Sequence, residues 1–96
     1  LRAPMVGHLG DGNFHVLLPF DPSKKEMYKK IREFNDLLIK KALELNGTIT
    51  GEHGVGLHKK DYLLHEHGDN IPVMKMIKRS IDKNNIMNPG KIFDLN

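Results

Sequence analysis

The 96 residues predict an α+β fold, an antiparallel β-hairpin plus a short strand packed on helices. Three patterns carry that reading. Two short apolar runs, residues 3–9 and 14–20, flank Gly10-Asp11-Gly12-Asn13. Apolar side chains recur at three- and four-residue steps from Met27 to Leu45. A β-branched triplet, Thr48-Ile49-Thr50, then follows the helix-stopping pair Asn46-Gly47.

The hairpin comes first. A type I′ turn needs positive φ at both central residues, and Asp-Gly between apolar runs is the strongest short-range signal for it. With Asp11-Gly12 as a two-residue loop, the cross-strand pairs are 10:13, 9:14 and 8:15. His8 and His15 then face each other, their Cβ atoms roughly 5 Å apart. Val6 and Leu17 share that face, whereas Met5, Leu9, Phe14 and Leu18 take the other. Such a hairpin expects cover on both faces, and only one covering layer is evident in the chain. Leu1 to Gly7 already read as the inside of a strand, with no initiator methionine or leader before them. The chain is therefore expected to be a fragment, and its uncovered apolar surface is expected to favour self-association.

Asp21-Pro22-Ser23 opens a long helix reaching about Asn46, with Asp21 or Ser23 as cap and Pro22 in the first turn. Met27, Ile31, Phe34, Leu38, Ala42 and Leu45 form its core-facing stripe. Asn46-Gly47 ends it in a left-handed stop. Thr48-Ile49-Thr50 is a brief strand leading into a glycine loop. Residues 57–67 form a short helix ending at Gly68, and a third helix runs from Asn70-Ile71-Pro72 to Asn84 or Asn85. Asn88-Pro89-Gly90-Lys91 is a turn before the apolar pair Ile92-Phe93.

Composition narrows the function classes. Cysteine is absent, which rules out disulfides, thiolate metal sites and cysteine nucleophiles and fits a cytoplasmic protein. No apolar run approaches the ~18 residues of a membrane-spanning helix, so any membrane association would run through a partner. Fifteen basic and twelve acidic residues give a formal charge of +3. Much of the basic charge lies between Lys24 and Lys41, interleaved with Glu26, Glu33 and Asp36, as on a solvated helix face. With two Tyr, no Trp and no aromatic–basic alternation, a nucleic-acid partner is not expected.

The chemistry concentrates in His8-Leu9-Gly10-Asp11-Gly12-Asn13-Phe14-His15 and Thr50-Gly51-Glu52-His53-Gly54-Val55-Gly56. Burying two opposed imidazoles requires partners or a metal. Two His and a Glu are a common set of ligands for a divalent ion with open positions. Neighbouring side chains of an extended segment point to opposite sides. The glycines allow a turn that would make both ligands of one ion, but the simpler division makes Glu52 the third ligand and His53 the proton-transfer group. The bland alternative is an ordinary β-to-helix connection with exposed Glu and His. A phosphate cradle is disfavoured, because the loop lacks the Gly-Lys-Ser/Thr ending and the dinucleotide glycine spacing. His58, His65 and His67 surround a polar short helix, where solvation is the default; His65-Glu66-His67 would bind metal only adventitiously.

His8 to His15, Gly47 to Gly56 and Asn88-Pro89-Gly90-Lys91-Ile92-Phe93, in this order and spacing, closely resemble the C-terminal part of FAD-linked oxidases. That family comprises D-2-hydroxyacid dehydrogenases, including D-lactate dehydrogenase and the glycolate oxidase catalytic subunit. The resemblance spans almost the whole chain. It implies that residues 1–96 are a C-terminal fragment of a ferredoxin-like substrate (cap) domain together with its C-terminal tail. It further implies FAD, held mainly by a missing N-terminal domain, and a divalent metal, usually zinc. By the same likeness His8, His15 and Glu52 correspond to the metal ligands, His53 to the catalytic base, and Asn88 to a tail residue approaching the flavin. The chain departs from the family where an Asp-Pro before the last turn is Asp82-Lys83 here. The implied partners are the missing flavin domain, a small 2-hydroxy acid and an electron-acceptor protein, and the isolated fragment is expected to be inactive. From the residues alone, a stand-alone metal hydrolase and a non-catalytic metal- or partner-binding module stay open beside this reading.

Overall fold

A computed structural model of the chain describes residues 2–95 and divides into two units, Leu1–His53 and Gly54–Asn96. Leu1, the start of the expected first strand, lies outside the described residues, as does Asn96. The described residues are mixed α and β but mostly helical, with one small antiparallel sheet of two strands.

In the first unit the hairpin forms in a different register from the expected one. Strands β1 (Met5–Val6) and β2 (His15–Val16) pair Met5 with Val16 and Val6 with His15. His15 is thus opposite Val6, not His8. The loop is wider than two residues because Leu9–Asp11 close a 3-10 turn, followed by Gly12 at φ 78°. Asp11 and Asn13 both donate backbone N–H groups to the His8 carbonyl, at 2.9 and 3.3 Å. A left-handed glycine after a tight turn serves an Asp-Gly sequence as well as a type I′ turn does. The shift is two residues, so the alternation of side chains between faces is preserved.

Helix α1 (Lys25–Glu44) starts later than its sequence signals, and no side chain caps it. Asp21 instead folds onto its neighbour: its Oδ1 accepts the Ser23 amide at 3.0 Å and the Ser23 hydroxyl at 2.7 Å. The hydroxyl, then the amide, hold the Asp21 carboxyl below its ordinary pKa. Met27, Ile31, Phe34, Leu38 and Ala42 are half-buried along one stripe, whereas Leu45 is exposed. Asn46 takes φ 61° at the helix end, and the Gly47 amide returns to the Ala42 carbonyl at 2.7 Å. The expected stop is therefore present, with Asn as its left-handed residue. Thr48–Thr50 is not a strand, since β1 and β2 form the only sheet among the described residues. Ile49 is nonetheless the most buried apolar residue there, at 3% exposure.

In the second unit helix α2 (Lys60–His67) is shorter than expected and runs through a 3-10 turn, Gly68–Asn70, into α3 (Ile71–Ile81). Gly68 keeps right-handed helical angles, so it links the helices and does not stop the first one. Leu63 and Ile71 are buried there. Asp82, also buried, ends α3 in a knot. Its carboxylate accepts the Lys78 ammonium and the Ile86 and Met87 amides, the latter two at 2.9 Å, while Lys78 Nζ also donates to the Met87 carbonyl at 2.6 Å. The turn at 88–91 follows, with Asn88 at φ 45° and Gly90 at φ 73°. The Ile92 amide then donates to the Gly56 carbonyl at 2.8 Å.

The Lys78 ammonium, then the Ile86 amide, hold the Asp82 carboxyl down from an ordinary 3.8 to about 2, against the opposing effect of burial. A depressed folded pKa means stabilisation present above about pH 4 and lost as pH falls toward about 2. Asp82→Asn is expected to lower the melting temperature at neutral pH by roughly 5 °C or more. It should also weaken the acid dependence of melting in that window, read by circular dichroism. An unchanged acid profile would contradict this role.

Candidate metal centre

Glu52 is the hub of the first unit's polar cluster. His15 Nε2 lies 2.9 Å from its Oε1, and His53 Nε2 lies 3.8 Å from the same oxygen. His8 Nε2 approaches the other oxygen, Oε2, at 3.5 Å. Three imidazoles thus converge on one carboxylate.

Each is placed by a local feature of the chain. His15 belongs to β2 and is three-quarters buried, with 25% of its side chain exposed. His8 sits where β1 leaves the sheet, its amide donating to Asn13 Oδ1 at 3.0 Å. Glu52 and His53 lie in a bend at 51–53, just past the buried anchor Ile49 and before Gly54 at φ 85°. That bend is the backbone turn the glycines allow, so these neighbours are not held to opposite sides as they would be in an extended segment. The His53 ring stacks on His15 with centroids 4.3 Å apart and planes inclined by 14°.

His15, Glu52 and His53 each offer a ligand atom within 4.8 Å of the others, and they are the one such group of three among the described residues. His8, expected as a ligand from the sequence, falls outside that trio but reaches Glu52 directly. Bond lengths of roughly 2.0–2.1 Å in a tetrahedral shell place ligand atoms about 3.3 Å apart. Within the trio, the separations from Glu52 Oε1 of 2.9 Å to His15 and 3.8 Å to His53 lie around that value. Imidazole nitrogens and a carboxylate are also the donor set that zinc and similar ions prefer. By donor type and spacing His15, Glu52 and His53 therefore form a candidate site for a divalent ion.

Asn88 belongs to the second unit, exposed, on the rim of a cleft of about 260 Å³ that Lys78, Asn85 and Phe93 also line. Ligand pockets are commonly about 300–1,000 Å³. His58, His65 and His67 join no further trio among the described residues. Sequence reasoning missed Asn13, whose amide oxygen captures the His8 N–H. The available signal was the readiness of Asn to bond nearby backbone at turns.

Residues 1–92 match the family described as FAD linked oxidases, C-terminal domain. The chain is 45% identical to a probable mitochondrial D-lactate dehydrogenase of Danio rerio, covering 99% of this chain and 19% of that protein. It is 43% identical to the glycolate oxidase subunit GlcD of Bacillus subtilis, covering 91% of this chain and 19% of that protein. A D-2-hydroxyglutarate dehydrogenase of Stutzerimonas stutzeri is likewise 43% identical, over 91% of this chain and 19% of its own length. The chain thus spans about a fifth of the length of these relatives. The Danio rerio protein is named mitochondrial, in contrast to the cytoplasmic setting expected from composition. No helix of the described residues is long and apolar enough to cross a membrane.

Proposed function

The chain belongs to the C-terminal domain family of FAD-linked oxidases, and from that premise we propose that it serves a flavin-dependent dehydrogenase or oxidase of D-2-hydroxy acids. The reaction converts lactate, glycolate or a similar acid to the 2-oxo acid, with hydride passing to FAD. In this reading the 96 residues are the last part of a ferredoxin-like substrate domain, and the flavin is held mainly by an N-terminal domain of the same protein. An electron-acceptor protein would reoxidise it. The single observation that carries the proposal is the convergence of His8, His15 and His53 on Glu52.

His8, His15 and Glu52 would hold a divalent ion, zinc or one like it, while Asn88 would lie on the flavin side of the tail. Such an ion would supply acidification of a substrate hydroxyl, and the flavin would supply the redox chemistry. His53 is the most exposed of the four side chains, at 70%, and so the best placed to meet a substrate. Its ring is steadied by the stack on His15. It would take the hydroxyl proton at an imidazole nitrogen, the task of a general base.

A second reading has its own support. The compact trio is His15, Glu52 and His53, which would make His53 a ligand and leave His8 beside the carboxylate.

The test is a panel of D- and L-2-hydroxy acids offered to the purified full-length protein, with flavin reduction followed by absorbance. Bleaching by D-acids alone is the expected result. A protein without flavin, or one that hydrolyses model esters when metal-loaded and oxidises no hydroxy acid, would contradict the proposal.

A further inference from the structure

Asn13 is neither a ligand nor a base in this scheme, yet the two halves of the cluster meet at it. Its Oδ1 accepts the His8 amide at 3.0 Å, and its own amide donates to the His8 carbonyl at 3.3 Å. Two glycines approach it closely. A Cβ placed on Gly7 would lie 2.5 Å from the Asn13 carbonyl oxygen and 2.5 Å from Phe14 Cα. A Cβ placed on Gly51 would lie 3.0 Å from Asn13 Cβ and 3.6 Å from its Cγ. Gly51 is the residue immediately before Glu52.

Resting on the metal reading above, we propose that the Asn13–Gly51 contact is the spacer that sets the separation of Glu52 from the His8 and His15 imidazoles. Asn13 and Gly51 are then positioning residues for a divalent-cation site. The magnitudes favour this. A methyl at position 51 must gain roughly half an ångström to reach ordinary carbon–carbon contact. Metal–ligand distances tolerate only about ±0.2 Å. Asn13 cannot yield freely, because two hydrogen bonds tie it to His8 and its backbone abuts Gly7. The displacement therefore falls on the Gly51-Glu52 backbone and opens the 2.9 and 3.5 Å separations at the carboxylate.

The experiment measures zinc affinity of the full-length protein by chelator competition, with the melting temperature of the metal-free form as a control for folding. Gly51→Ala should weaken zinc at least about tenfold while the metal-free protein still melts cooperatively. Combining it with Asn13→Gly removes the opposing Cβ, so the double variant should lose less than the product of the two single losses. Combining it with Asn13→Ala keeps that Cβ and should give no such relief. If Gly51→Ala fails to fold, Asn13→Gly alone puts the question without added bulk, because it removes the Cβ that Gly51 meets. It should weaken zinc severalfold, and zinc affinity within about twofold of the parent would then overturn the assignment. A parent that binds zinc, with Gly51→Ala within about twofold of it or no relief from Asn13→Gly, overturns this assignment alone. A parent with no zinc affinity overturns the metal reading and this assignment together.

Discussion

His53→Ala in the full-length protein is expected to cut turnover at least ~100-fold, the scale of losing a general base. The metal content of the same variant decides between the two readings of this side chain. As the base, His53 leaves the ion in place when removed, and turnover falls alone. As a ligand in the trio with His15 and Glu52, its loss takes the ion as well. The stack on His15 is common to both, because a ring 4.3 Å away supports the imidazole whatever its task. Unchanged turnover would exclude both roles.

Glu52→Gln should be more damaging to the ion than any other single change. The carboxylate is the one group that all three imidazoles approach, and it is the only acidic side chain of the trio. Losing an outer partner of a metal site typically costs about 10–100-fold in affinity, and removing the charged ligand itself should exceed ~100-fold. Glutamine keeps the size and an acceptor oxygen, so the loss reports charge more than shape. Zinc affinity by chelator competition reads it, and an affinity within about tenfold of the parent would contradict the role.

The site was more legible in the sequence than the strands that frame it. Ligand-type residues announce themselves by chemistry, so His8, His15, Glu52 and His53 could all be named from residue type and spacing. Their relative directions could not. A bend at 51–53 brings Glu52 and His53 to the same side, and periodicity arguments hold only for extended chain. The hairpin itself was legible from Gly10-Asp11-Gly12-Asn13, but its register was not. Turn type decides register, and the competition for the His8 backbone by Asp11 and Asn13 is a three-dimensional matter. Helix α1 and its stop at Asn46-Gly47 followed from strong periodicity and left-handed propensity. Its start was misplaced because Asp21 and Ser23 satisfy each other rather than the helix. Thr48-Ile49-Thr50 has strand-like composition, yet propensity yields to context: Ile49 is buried without a strand forming around it. Of the Asp82 knot only the Lys78–Asp82 pair, four residues apart on α3, has a sequence signal, since the other partners are two backbone amides four and five residues on.

The uncovered apolar residues complete the picture. Among the described residues only Ile49, Leu63 and Ile71 are buried hydrophobics, while Leu9 is 90% exposed and Val73, Met76, Ile77 and Ile81 of α3 are also exposed. A self-sufficient chain of this length would bury on the order of 60% of its unfolded surface around a real core. The proposal that a larger protein supplies the cover accords with relatives about five times as long.

The most direct measurement is the metal content of the purified full-length protein, by elemental analysis, beside its Glu52→Gln and His15→Ala variants. The account predicts about one divalent ion per chain in the parent and close to none in either variant. A parent free of metal, or variants that retain the parent's full complement, would contradict it.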